Sequence, residues 1–131
     1  MNFIEKLIKG ERKEPPFDVV QSFTSSFPEA VNIDWYEEGD RYEAVFYLNS
    51  IEHIALFDSE ANLLQYKMSL QEQNLPGLIL QKAYEKGELM NAVLINSGNN
   101  IRYECILRDK DLKRWLLLYD DSGNVLNDSL L

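Results

Sequence analysis

The sequence predicts an α+β fold built as a tandem repeat, each unit a helix followed by antiparallel strands, with the helices packed on one face of the sheet. Three observations predict it: two blocks recur along the chain, a proline-bounded apolar segment precedes each block, and the following segments alternate apolar with polar residues. "DRYEAVFYL" at Asp40–Leu48 matches "IRYECILRD" at Ile101–Asp109 at a spacing of 61. "LFDSEANLL" at Leu56–Leu64 matches "LYDDSGNVL" at Leu118–Leu126 at a spacing of 62. The one-residue change falls between the blocks, where a hairpin tip absorbs it. The expected organisation is an amphipathic segment and linker over 1–16, a first unit over 17–72 and a second over 73–131, forming one compact domain.

The elements follow in order. Phe3, Ile4, Leu7 and Ile8 make one or two amphipathic turns, tethered by "GERKEPP". "PPFDVVQSFTSSFPEA" opens with prolines suited to a helix start and stops at Phe27, because the residue before a proline avoids helical geometry. Val19, Val20, Phe23 and Phe27 share one face at helical spacing. "VNIDWY" then alternates Val31, Ile33 and Trp35 against Asn32, Asp34 and Tyr36. "RYEAVFYL" and "IEHIALF" flank Asn49-Ser50, a hairpin turn. The second helix lies in "LPGLILQKAYEKGE", with Pro76 near its start and Gly87 as C-cap; Leu78, Ile79, Lys82, Ala83 and Lys86 divide between core and rim.

Pairing across Asn49-Ser50 puts Tyr42, Ala44, Phe46, Leu48, Ile51, His53, Ala55 and Phe57 on one face. The second unit's equivalents are Tyr103, Cys105, Leu107, Trp115, Leu117 and Tyr119. This nearly all-apolar face is expected under the helices. The opposite face carries Arg41, Glu43, Val45, Tyr47, Glu52, Ile54 and Leu56, then Arg102, Glu104, Ile106, Arg108, Arg114, Leu116 and Leu118. An apolar centre with a charged rim marks a contact surface. The residues singled out for binding are Arg41, Glu43, Val45, Tyr47, Ile54, Leu56, Arg102, Glu104, Ile106, Arg114 and Leu116. Two alternatives stand beside that reading: the aliphatics serve strand propensity alone, or "NFIEKLI" folds over them.

The net charge is −9, which disfavours a nucleic-acid partner. Residues 17–72 carry eleven acids against two bases, while 73–131 carry eight against seven. The first unit therefore holds nearly all the negative field, which would attract a basic protein or peptide or serve solubility. The single cysteine, Cys105, excludes an internal disulfide. No run reaches the roughly 20 apolar residues of a membrane span. Glu5, Lys6 and Lys9 interrupt the N-terminus, so it lacks the apolar region of a signal peptide, and the cytoplasm is the expected compartment.

Candidate chemistry is sparse. His53, the only histidine, falls opposite Phe46 on the core face, and Cys105 lies in register with Tyr103 and Leu107. Glu37, Glu38, Asp40, Asp109 and Asp111 sit at hairpin tips, where carboxylates stay solvated. "DDSGN" at Asp120–Asn124 invites comparison with a calcium loop, yet its sixth position is Val125 and no distal glutamate follows. "DSEAN" at Asp58–Asn62 has Ala61 in place of Gly123. Both read as turns begun by an aspartate. The expectation is no catalytic residues, no metal and no cofactor.

"FPEA", "VNIDW", "GDRYEAVF", "IALFD" and "ANLL" together resemble the PepSY-like family of β-lactamase-inhibitor-like (BLIP-like) proteins across about residues 17–131. The second unit lacks the FP-x-A motif and the strand tryptophan. The resemblance implies helices on an antiparallel sheet, no known catalysis, and export for most members. The expected function is a non-enzymatic protein- or peptide-binding module, possessing an inhibitor-like sheet face. The alternative is a structural or self-associating protein in which the N-terminal segment covers the sheet or mediates homodimerisation.

Overall fold

The computed structural model of the protein describes residues 10–131, so the expected amphipathic turns at Phe3, Ile4, Leu7 and Ile8 lie outside the described residues. In chain order the elements are β1 (Glu11–Arg12), α1 (Phe17–Ser26), β2 (Val31–Glu38), β3 (Arg41–Leu48), β4 (Ile51–Phe57) and β5 (Leu63–Leu70). After a 3-10 turn at Glu72–Asn74 come α2 (Gly77–Lys86), β6 (Glu88–Ser97), β7 (Asn100–Arg108), β8 (Arg114–Asp120) and β9 (Val125–Leu130). The expected α+β tandem of helix-plus-strand units is corrected by the sheet. Nine strands run in sequential order β1 through β9 in one sheet, and two ten-residue helices are the only α-helices among the described residues. The physical reason is that tight polar turns join most successive strands, so antiparallel neighbours need no crossing helix. The linker "GERKEPP" also contributes a strand, because Glu11 and Arg12 pair with Glu37 and Tyr36. The chain nevertheless divides into two compact units, residues 10–68 and 69–131 of the described chain.

In the first unit, α1 starts after Pro16, whose carbonyl accepts from the Val19 N–H at 3.1 Å, and stops at Phe27 ahead of Pro28. Its buried face, Val19 and Phe23, packs on Trp35, Ala44, Phe46, Ala55 and Phe57. Phe23 is the hub. Its ring meets Phe46 at 4.9 Å and Trp35 at 5.2 Å, both edge-on, the arrangement that opposed ring quadrupoles favour. Register follows the sequence reading closely here: Ala44 faces Ala55, Phe46 faces His53 and Tyr42 faces Phe57. Asn49 and Ser50 both take positive φ, as the tightest hairpin turn requires.

Strand β2 departs from simple alternation. A bulge between Val31 and Asp34, with Asn32 at φ 54°, puts Val31 opposite Tyr47 while Trp35 stays opposite Ala44. Val31 and Trp35 thus point to opposite faces, and Val31 and Ile33 are exposed.

In the second unit, α2 buries Ile79 and Ala83 against Ala92, Cys105, Leu107, Leu117 and Tyr119, with Leu75 closing the end. Gly87 is required by proximity: a β-carbon there would lie 2.4 Å from the Arg108 carbonyl oxygen. Where α1 fills the helix–sheet gap with Phe23 and Phe27, α2 offers Ala83 and Gly87. The space remains as a cleft of about 360 Å³ lined by Lys82, Glu85, Lys86, Leu117, Tyr119 and Val125. The two lysines bridge it. Lys82 Nζ donates to the Gly123 carbonyl at 2.7 Å, and Lys86 Nζ lies 3.8 Å from the centre of the Trp115 ring.

Three turns share one construction. Asp58 Oδ1 accepts from the N–H groups of Glu60 and Asn62, Asp109 Oδ1 from Asp111 and Lys113, and Asp120 Oδ1 from Ser122 and Asn124. The second carboxylate oxygen also takes a donor each time: Asn62 Nδ2, Trp115 Nε1 and Asn124 Nδ2. These donors hold all three carboxyls below the usual aspartate range. The Asp120 carboxylate of "DDSGN" is therefore occupied in closing a turn.

The fourth residue of each turn takes left-handed geometry: Ala61 at φ 66°, Leu112 at φ 63° and Gly123 at φ 87°. Only glycine does so without strain. Ala61→Gly and Leu112→Gly should each stabilise the fold by about 0.5–1 kcal/mol, the relief of left-handed strain less the added freedom of the unfolded glycine. Gly123→Ala should destabilise, since its β-carbon would also press to 3.1 Å from Leu78 Cδ2. Urea unfolding midpoints at unchanged slope check all three.

A second prediction concerns His53. Its ring is buried, stacks on Phe46 and bonds through Nδ1 to the Tyr66 hydroxyl. Burial pushes its pKa down, against a smaller opposing effect of a hydrogen bond to the Leu48 backbone. The unfolded chain therefore takes up a proton that the native state resists. The stability His53 contributes is present above about pH 6.5, the unperturbed value, and is lost as pH falls from there through the depressed native pKa. Unfolding free energies measured from pH 8 to 5 should fall on acidification in the wild type, and His53→Gln should flatten that slope.

Candidate functional site

The second face of the first unit is built in rows across β2, β3, β4 and β5. Asp34 lies opposite Val45, Val45 opposite Ile54 and Ile54 opposite Lys67. The neighbouring row runs from Tyr36 through Glu43 and Leu56 to Gln65. Glu38 opposite Arg41 ends the strip, and Val31, Tyr47 and Glu52 make the row at the other end. Arg12 of β1 reaches onto this face, 3.2 Å from Asp34 and over the Tyr36 ring.

The expectation of an exposed apolar centre is corrected in both units. Val45 is 2% exposed, and Ile54 and Ile106 are each 4% exposed. Val93 and Ile95, which share the second unit's face with Glu104 and Arg102, are buried as well. Glu43, Tyr47, Leu56, Arg102, Glu104 and Leu116 are half-buried, and Arg41 and Arg114 are exposed. The accessible part of the face is its polar margin.

That margin is recessed in the first unit. Glu38, Asp40, Arg41, Glu43 and Leu56 line a cleft of about 350 Å³ beside the turn between β2 and β3. A cleft of about 320 Å³ lined by Gly10, Glu11, Glu37, Glu38 and Gly39 shares Glu38 with it. Burial raises the pKa of Glu43, the nearby Lys67 opposes that shift, and Glu38 adds to it. A carboxylate in this position gains from a cation brought close. The strip unites the expected residues Arg41, Glu43 and Leu56. It also includes Glu38 and Asp40, which the sequence reading set aside as solvated tip residues, and Glu11, which it left in a linker. The signal available for Glu38 was its period-two spacing with Asp34 and Tyr36. In the second unit, Arg102, Glu104, Ile106 and Leu116 lie across β7 and β8, with Ile106 opposite Leu116.

The remaining candidates fall elsewhere. Cys105 is fully buried and its thiol is pushed up to about 12, chiefly by burial, which suppresses the thiolate. Arg114 sits at the start of β8, where its carbonyl accepts from the Leu131 N–H. No helix among the described residues is long and apolar enough to cross a membrane.

No family model matches the chain, and no curated protein matches it, so the PepSY-like part of the resemblance rests on the motifs alone. Solved structures do share the fold. A Bacteroides eggerthii protein described as periplasmic superposes with a TM-score of 0.81 at 16% identity, covering 90% of each chain. A DUF2874 family protein from Bacteroides ovatus gives 0.79 at 17% identity, over 90% of this chain and 89% of that one. A BLIP-like protein from Bacteroides fragilis gives 0.75 at 21% identity, over 91% of this chain and 88% of that one. The chain has a BLIP-like, sheet-rich fold.

Proposed function

We propose that the chain is a non-enzymatic protein-binding module that grips a basic segment of its partner at the acidic margin of the first unit. The observation that carries this reading is the cleft lined by Glu38, Asp40, Glu43 and Leu56, in which the three carboxylates outnumber the one cation, Arg41. Three carboxylates around an apolar side chain suit a lysine or arginine, whose stem lies on Leu56 while its head meets the acids. The adjoining cleft extends the acidic strip through Glu38 to Glu11, while Glu37 beside it is paired with Lys13 Nζ at 3.1 Å. A continuous strip suits an extended segment better than a compact small molecule. The first unit's concentrated negative charge would also speed encounter with a basic partner.

The non-enzymatic reading is supported by how the reactive side chains are engaged. His53 is held by Tyr66 within an aromatic core, and the thiol of Cys105 is buried. The Bacteroides fragilis neighbour described as BLIP-like accords with protein binding, although fold alone does not assign a partner. The cytoplasmic expectation finds no support among the neighbours, one of which is described as periplasmic, and the proposed binding would operate in either compartment.

Titration of two labelled extended peptides, one lysine-rich and one glutamate-rich, tests the proposal by fluorescence anisotropy. The basic peptide should bind, more weakly as salt rises, and the acidic peptide should not. Glu38→Lys with Asp40→Lys should weaken binding about tenfold, near the 1–2 kcal/mol expected of two partly screened charge contacts, at an unchanged melting temperature. Equal binding of both peptides, or full affinity in the double variant, would sink the idea.

A further inference from the structure

The outer edge of β9 carries an inference independent of the acidic margin. Along β8 and β9, Trp115 lies opposite Leu130 and Leu117 opposite Asp128, and the Leu131 N–H donates to the Arg114 carbonyl at 2.8 Å. Backbone bonds alternate along an antiparallel ladder. Ser129 and Leu131 therefore direct their backbone groups to β8, while Asp128 and Leu130 turn theirs to the outer edge. Consistent with this, the Asp128 N–H is taken up by Asn127 Oδ1 at 2.9 Å, a local contact that a neighbouring strand would replace.

Edge strands are usually blunted by brevity, lysine or proline. β1, the strand at the other end of the order, follows that rule: it has two residues and leads into Lys13, Pro15 and Pro16. β9 does not. It has six residues, neither lysine nor proline, and a single charge at Asp128. Val125, Leu126, Leu130 and the following Leu131 are each more than half exposed.

We propose that β9 pairs antiparallel with β9 of a second copy of this chain about a two-fold axis. Among the described residues no strand lies beyond β9, so its outward backbone groups can accept one, and the side-chain sequence makes β9 a match for itself. A register centred on Asp128 sets Leu126 against the partner's Leu130, a contact that occurs twice by symmetry, and the bulge that places Val125 opposite Tyr119 ends the regular ladder there. The one unfavourable contact is Asp128 with the partner's Asp128. Each carboxylate lies 3.8 Å from its own Lys86 Nζ, which offsets the repulsion. A foreign strand would satisfy the backbone groups but would not bring this doubled apolar match.

Sedimentation of the full chain over a concentration series tests the proposal, with hydrogen exchange read at the Asp128 and Leu130 amides. The expected result is a monomer–dimer equilibrium in which both amides gain protection as concentration rises. Leu130→Lys should leave a monomer with an unchanged melting temperature, and Asp128→Asn should tighten the dimer several-fold. A wild type that stays monomeric while both amides exchange freely would overturn self-pairing and leave the edge to a foreign strand or to none. A dimer in which these amides stay unprotected would overturn it too, whatever the variants do.

Discussion

The joint on which the sheet depends is an aspartate that collects the N–H groups of the residues two and four places on. Each carboxylate fixes five residues, closes a bond between the first N–H and the fifth carbonyl, and forces the fourth residue into left-handed geometry. The strand leaving the turn then lies antiparallel beside the strand entering it. Between β4 and β5, β7 and β8, and β8 and β9 the same joint recurs at Asp58, Asp109 and Asp120. Asp120, the first residue of the loop compared with a calcium site, thus has a structural use, and the depressed pKa values of all three aspartates follow from the donors they collect.

Where the sequence was legible, a local rule acted without competition. Asn49-Ser50 set a two-residue hairpin, so the pairings from Tyr42 with Phe57 to Leu48 with Ile51 followed from counting. The helix limits were legible because Pro16 and Pro28 are steric stops. The third aspartate turn was not found by matching blocks, since "DKDLK" shares little with "DSEAN" or "DDSGN" beyond its aspartate. Side-chain identity at the left-handed position varies from alanine to leucine to glycine, while the hydrogen-bond pattern stays the same. That pattern resides in backbone donors, which a residue comparison does not see.

Failures of the sequence reading came from long-range competition. The bulge in β2 turns Val31 away from the face of Trp35, and nothing in "VNIDWY" marks the extra residue. Burial of Val45, Ile54, Val93, Ile95 and Ile106 escaped for a related reason. Alternation assigns a residue to a face, but coverage of that face is a tertiary property. The charged residues around these aliphatics misled by suggesting solvent access throughout. They mark a margin, which becomes a recess where Glu38, Asp40, Arg41 and Glu43 meet Leu56.

The two cores solve the gap between helix and sheet by different physical means, and the difference decides whether a buried tyrosine hydroxyl finds a partner. The first fills it with rings: Phe27 stacks on Tyr66, whose hydroxyl is then satisfied by His53. The second has small residues on its helix and covers the gap with lysine stems anchored at Gly123 and Trp115. Stems cover without supplying an acceptor, and the Tyr119 hydroxyl beneath them is buried with no hydrogen-bond partner among the described residues. Its pKa is pushed up to about 12, first by burial and then by Cys105, Asp128 and Glu85. An uncompensated buried hydroxyl costs about 1–3 kcal/mol, which the apolar burial of the ring must exceed for a tyrosine to persist there. In the aromatic core of the first unit the Tyr66 hydroxyl is met by His53, so a tyrosine persists there without that cost.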